Sequence, residues 1–473
     1  MVAEPKAGRE DAPKGVRVVC AAVGFAALVL TSGCATIFNE PINAPLAAGQ
    51  MPAPLVAPDV RGDTTIALAF SGGGTRAAAF AHGVLRGLDR MRGSDGRSNL
   101  DRVIFVSGVS GGSVAAAYFG LKGRAALADF RERFLIRNAV EDLSTNVSLR
   151  LLVRGISGGV NDAGKLPVWL DRNLFDNATL GDLFAPGKPI VWINASDLYN
   201  RTPFHFSPPV FAALCSDARR YPLSHAVAAS AAVPVAFAPI VLETFPDACT
   251  APLPPWVGRV LGDRAGSAQA RAFAQAVMRY RDPGQVRYVK LVDGGLTDNF
   301  GLSGLVIARA IADAPYMPFT PERAVQMSRL VFIVVNSGRA PEGEWARSVE
   351  GPSGAALLNA VTDTAIDSAV RSGFDAFRLS IREWEEATRK WRCRLSAAQA
   401  RGLGAPPGWR CRHVKFEIAE VSFDQLEPQR AALVSAVPTR FNLPVEQVDM
   451  VIEAGTDAIL AHPVFRERMA LAR

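Results

Sequence analysis

The feature that most constrains this chain is a series of apolar runs, each as long as one strand. TTIALAF (64–70), VIFVS (103–107), PIVWINA (189–195), RYVKLVD (287–293) and RLVFIVVN (329–336) are nearly uninterrupted in hydrophobicity and are separated by helical or loop segments. A strand that is apolar on both faces must be covered on both faces. Parallel strands joined by crossover helices meet that need. The stretch after the first run supplies such a helix. Ala77, Ala81, Val84, Leu88 and Met91 repeat at 4-3-4-3 spacing, with Arg86, Asp89 and Arg90 off that stripe. The expected fold is α/β, a mostly parallel central sheet with helices on both faces. VKFEIAEVSF (414–423) is a candidate last strand, and 354–372 and 446–471 read as helices. One catalytic domain over 64–430, followed by a C-terminal helical tail over 431–473, is the simplest partition.

Hydrophobic residues make up 49% and charged residues 21% of the 473, enough for a sizeable core and incompatible with a disordered chain. The net charge of +7 is too dilute over this length to indicate a nucleic-acid binder, and no nucleic-acid partner is expected.

The beginning of the chain has its own logic. Residues 18–30, VVCAAVGFAALVL, form an apolar run. As a helix it would extend about 20 Å, short of the roughly 30 Å of a bilayer's hydrocarbon core. It reads as the apolar region of an export signal covering 1–33. TSGC (31–34) resembles the lipobox of bacterial lipoprotein signals, in which the cysteine, here Cys34, is lipidated. Thr31 stands where that pattern has leucine, with Leu30 one step earlier. The alternative is a secreted protein cut near Ala35. Ala35 after Cys34, rather than aspartate, implies an outer-membrane lipoprotein facing the periplasm. Residues 34–63, rich in proline and alanine, read as a lipid-anchored linker. Besides Cys20 and Cys34 the chain has Cys215, Cys249, Cys393 and Cys411. In an oxidising compartment these allow two disulfides in three connectivities. The pairing of sequence neighbours, Cys215–Cys249 and Cys393–Cys411, is the expected one. No C-x-x-C spacing exists and the five histidines are scattered, so no metal site is expected.

Three motifs carry chemistry. Gly108-Val109-Ser110-Gly111-Gly112 is a G-x-S-x-G sequence between a strand and an apolar helix. That is the setting of a nucleophile elbow, a sharp turn that lifts the serine hydroxyl out of the sheet, with Gly108 and Gly112 leaving room for the chain. SGGGTR (71–76) lies between the first strand and its helix. Successive glycines let backbone N–H groups converge on an anion or oxyanion. The same stretch reads as G-x-G-x-x-A, but no acidic residue closes the second strand, which weighs against a dinucleotide site. Asp293-Gly294-Gly295 closes the strand 287–292. If that strand joins the parallel sheet, Asp293 and Ser110 share one edge. His82, His205, His225, His413 and His462 lack triad-like placement and read as structural, so Asp293 is the carboxylate available as base.

The ordered set GGGTR, GVSGGS and DGG, with KPIVWINASDLYNRTPFHF and AVAASAAVPVAFAPI, resembles the patatin-like phospholipases over roughly 64–310. That resemblance implies a three-layer fold and a Ser–Asp acyl hydrolase with no cofactor. It implies Ser110 as nucleophile, Asp293 as proton acceptor, and Gly72, Gly73 and Gly74 as oxyanion donors. Arg76 would lie close by, and Gly294 and Gly295 would complete the aspartate motif. The substrate would be a membrane lipid or another acyl ester. The rival readings are a lipid-binding envelope protein of the same fold with weak catalysis, and a nucleotide-dependent oxidoreductase.

Overall fold

The computed structural model describes residues 39–54, 62–93, 95–139, 141, 161, 163–234, 236–249, 252–339 and 343–465. The expected export signal, Cys34 and its surroundings lie outside these. Among the described residues eight strands form one sheet: β1 (Thr64–Phe70), β2 (Val103–Val109), β3 (Ile190–Asp197), β4 (Thr202–Phe206), β5 (Ile240–Glu243), β6 (Tyr288–Asp293), β7 (Arg329–Val335) and β8 (Lys415–Val421). They are bonded in the order β5-β6-β3-β2-β1-β7-β8, with β4 on β3. β1, β2, β3, β7 and β8 pair in parallel, and their side chains are buried on both faces except toward the β8 edge. Helix α1 (Gly74–Arg90) follows β1 and α2 (Gly111–Lys122) follows β2.

β6 departs from the expected parallel arrangement, because it runs antiparallel to β3. Its pairing explains why Asp293 nonetheless reaches the same rim as Ser110. Ile193 and Asn194 of β3 pair with Gly108 and Val109 of β2, and also with Phe206 and His205 of β4. A strand has two edges, so β2 and β4 flank β3 on opposite sides. Ala195, Ser196 and Asp197 pair with β4 and with Asp293, Val292 and Leu291 of β6. β6 therefore follows the same edge of β3 as β2, beyond the point where β2 stops and in the opposite direction. The two strands meet end to end, Val109 opposite Asn194 and Asp293 opposite Ala195.

Two boundaries differ from the sequence reading. Residues expected to form a linker are strapped onto the domain. Leu46 donates its N–H to the Cys215 carbonyl (3.0 Å), Asp217 donates to the Ala44 carbonyl (2.9 Å), and the Asn43 amide donates to Ser216 Oγ (3.0 Å) and the Glu243 carbonyl (2.9 Å). The structure joins Cys215 to Cys249 beside this strap, and Cys393 to Cys411 after the 39-residue helix Gly354–Arg392. The C-terminal segment is likewise no separate tail. Helix α5 (Val445–Ala461) crosses α1, and Val448, Val451, Ile452 and Ile459 are buried in the same core as Phe80, Val84 and Leu88.

Backbone contact makes that crossing close. Thr456 Oγ1 donates to the Gly83 carbonyl (3.0 Å), and a Cβ on Gly83 would lie 2.1 Å from the Ile452 carbonyl oxygen. Gly83→Val should therefore lower stability by about 2–3 kcal/mol in urea denaturation. Gly258→Ala, in a helix where a Cβ meets nothing within 4 Å, should leave stability unchanged or slightly raised. Equal effects would place the C-terminal helix outside the cooperative core.

Candidate active site

The site is assembled where β2 and β6 meet. Ser110 follows β2 with φ 50° and ψ −123°, a conformation costly for any residue with a Cβ. Contacts around it hold the strain. Its N–H donates to Ser230 Oγ (2.9 Å), and the Ser230 hydroxyl donates in turn to the Asn194 carbonyl. Its carbonyl accepts from Ser113 N–H (2.9 Å) and Ser113 Oγ (2.6 Å). Gly111 and Gly112 let the elbow press against β1 and the glycine loop: a Cβ on Gly111 would lie 1.9 Å from the Gly74 carbonyl oxygen, and one on Gly112 2.4 Å from that of Ser71. On Gly108 it would lie 2.6 Å from the Gly112 carbonyl oxygen.

Asp293 is fixed by the segment that also holds Ser110. Its N–H donates to the Ala232 carbonyl (2.9 Å), and the N–H of Gly294 donates to that of Ser230 (3.2 Å). Ser196 Oγ donates to the Asp293 carbonyl (2.9 Å). The Asp293 carboxylate accepts the Gly295 N–H (2.8 Å), and the nearby Ser110 hydroxyl favours its charged form. Ser110 is 6% and Asp293 8% exposed, so the pair is shielded from bulk water. Burial pushes the Asp293 carboxyl up to about 6, against the Gly295 N–H and the Ser110 hydroxyl, which favour its charge. The carboxylate is still ionised at neutral pH, and it is a stronger base than an exposed aspartate.

The glycine loop faces the same place, with one change in its donors. The Gly72 N–H, expected to bind an oxyanion, donates instead to the Asn299 carbonyl (3.1 Å). The chain after Asp293 folds back through the short helix α3 (Gly295–Asp298) and brings Asn299 against the loop. The N–H groups of Gly73 and Gly74 have no acceptor among the described residues. Gly73 has φ 140° and Gly74 φ 61°, which suits the glycines that turn these amides outward. Arg76 is buried and donates to the carbonyls of Ser337 and Val437. Thr75 N–H donates to the Arg440 carbonyl (2.8 Å), and Ser337 Oγ to that of Gly72 (3.1 Å). Arg76 thus ties the loop to the end of β7 and to the C-terminal segment.

No histidine is among the groups bonded to Asp293. His82, His205 and His225 are pushed down to about 4 by burial and are neutral at physiological pH. Ser230, Asn299 and Ser337 were not singled out from sequence. Ser230 sits inside the AASAAVP stretch, the one local signal that pointed toward it.

A serine hydroxyl facing a buried carboxylate at a strand–helix elbow, beside two amides without an acceptor among the described residues, is an arrangement for acyl transfer. The family model of patatin-like phospholipases matches residues 68–306, which hold the glycine loop, the elbow and the aspartate motif. The chain belongs to the patatin-like phospholipase family. Among solved structures it is similar to human GIVD cytosolic phospholipase A2, with 12% identity and a TM-score of 0.37 over 86% of this chain, and it spans 62% of that chain. It is also similar to VipD from Legionella pneumophila, with 12% identity and a TM-score of 0.31 over 92% of this chain and 72% of that one. No curated protein matches the chain.

This patatin-like site has a consequence for stability. The carboxyl of Asp293 protonates near 6 when folded and at 3.8 without its surroundings, so ionisation weakens the folded state as pH rises from about 4 through 6. Asp293→Asn removes that penalty. The variant should be more stable than wild type by on the order of 2–3 kcal/mol at pH 7, and the gain should vanish near pH 4. Urea titrations at both pH values check this; a variant less stable at pH 7 would mean the carboxylate stabilises the fold.

Proposed function

We infer that this protein hydrolyses carboxylic esters of lipids with Ser110 as nucleophile and Asp293 as its general base. The placement of the Ser110 hydroxyl against the buried Asp293 carboxylate, where it favours the charged form, carries this reading. Asp293 accepts the hydroxyl proton as Ser110 Oγ attacks the ester carbonyl. The oxygen of the tetrahedral intermediate is held by the Gly73 and Gly74 amides, each such donor being worth about 3–4 kcal/mol in comparable sites. Collapse breaks the ester C–O bond, and the leaving alcohol takes the proton from Asp293. Water then attacks the acyl-serine, giving a proton to the same carboxylate, and Asp293 returns that proton to Ser110 Oγ as the acyl–Oγ bond breaks and the fatty acid leaves. The dyad needs no metal or organic cofactor. The first 34 residues support a further proposal, that the chain is exported and anchored through lipidated Cys34, with the periplasmic face of an outer membrane as its destination and secretion as the alternative.

Ser110→Ala should lower kcat/KM on a chromogenic ester by about 10⁴-fold or more while circular dichroism stays unchanged. A variant keeping most of its rate would reject the nucleophile. In wild type, kcat/KM should fall about tenfold per pH unit below about 6 and level off above it, because the base must be ionised. A plateau extending well below pH 5 would reject Asp293 as the base.

A further inference from the structure

The turn after β3 and the outer half of β6 form a surface that the dyad does not use. Leu198 (46%), Tyr199 (59%) and Tyr288 (39%) are exposed there. Leu198 N–H donates to the Lys290 carbonyl (3.1 Å), which locks the turn to β6. Arg287 and Lys290 flank the Tyr288 ring at 5.3 and 6.0 Å from its centroid, and Arg201 is exposed on the same turn. Glu243 is the carboxylate facing this group, 3.5 Å from Arg287. Asp197 is buried, bonded to Tyr280 and Asn200. Lys290 and Arg201 have no carboxylate partner among the described residues.

The position follows from the strand pairing. β6 descends toward Asp293, and β3 passes Ala195, opposite Asp293, on its way to the turn. Lys290 is three residues before Asp293, so the surface stands about 10 Å or more beyond the dyad at the same end of the sheet.

Exposed tyrosines suit the boundary between water and lipid, where the ring meets acyl chains and the hydroxyl stays wet. Cations beside them, with one carboxylate opposing, match phosphate headgroups of net negative charge. We propose that Leu198, Tyr199, Arg201, Arg287, Tyr288 and Lys290 form a docking face for an anionic lipid bilayer that holds the dyad at the membrane surface. This deepens the reading of the site as a lipid acyl hydrolase and rests on it.

The test uses the full chain carrying Ser110→Ala, so that vesicles stay intact. Its co-sedimentation with phosphatidylcholine vesicles is compared with vesicles that also contain phosphatidylglycerol. Binding should be tighter with phosphatidylglycerol and should fall with added salt. Arg287→Gln with Lys290→Gln should weaken the anionic component about 30-fold, and Tyr199→Ala with Tyr288→Ala should weaken it as well. In a chain with Ser110 intact, the same substitutions should leave hydrolysis of a dispersed short-chain ester unchanged. Equal binding to both vesicles, or anionic binding that the Gln variants retain, would overturn the proposal. Self-association lost in the tyrosine variant, with no lipid preference, would also overturn it, by assigning the face to a second copy. Loss of short-chain hydrolysis in wild type would instead count against the hydrolase reading alone.

Discussion

The site depends on two strands ending head to head along one edge of a third. β2 rises along β3 and stops at Asn194, and β6 comes down the same edge and stops at Ala195. β2 leaves Ser110 just past its end and β6 ends on Asp293, so both side chains come to the junction. The juxtaposition of Ser110 and Asp293 follows from sheet pairing, with no flexible arm involved. Ser230 seals the junction from below: its hydroxyl holds the Ser110 amide and its carbonyl holds Gly294.

Such a junction costs stability, and the surrounding fold offsets it. Ser110 is held at positive φ, and a carboxylate is buried where charge is poorly solvated. The glycine loop is fixed from three directions, by Asn299 after the aspartate, by Ser337 after β7, and by Val437 and Arg440. The last pair explains why the C-terminal residues belong to the catalytic core. The α1–α5 crossing brings their carbonyls to Thr75 and Arg76, so the loop is set by chain more than 350 residues away from it. Nearer the surface, helix α4 (Gly354–Arg392) packs its second half through Phe377, Ile381 and Trp384, and Phe374 meets Phe300 just past Asn299.

Much of this was legible in sequence. The central strands announced themselves because burial on both faces demands uninterrupted apolar runs, and the three glycine-bearing motifs marked the turns that close backbone approach requires. The direction of β6 was not read, although a trace of it was present. Tyr288 and Lys290 alternate with Val289 and Leu291, the mark of a strand with one wet face, as antiparallel strands have. The Gly72 amide could not be told from its two neighbours, because its acceptor is a carbonyl more than 200 residues on, and nothing local encodes that meeting. The strap at 39–54 was hidden by its composition: proline and alanine dominate, while Asn43 and Leu46, which do the anchoring, are single residues in a bland stretch.

The most direct test of the central claim is a crystal structure of the protein after reaction with a fluorophosphonate. The account predicts phosphorus bonded to Ser110 Oγ, with the phosphonyl oxygen about 2.7–3.1 Å from the Gly73 and Gly74 nitrogens and the Asp293 carboxylate beside the ester oxygen. An adduct on another residue, or a phosphonyl oxygen turned away from both amides, would contradict it.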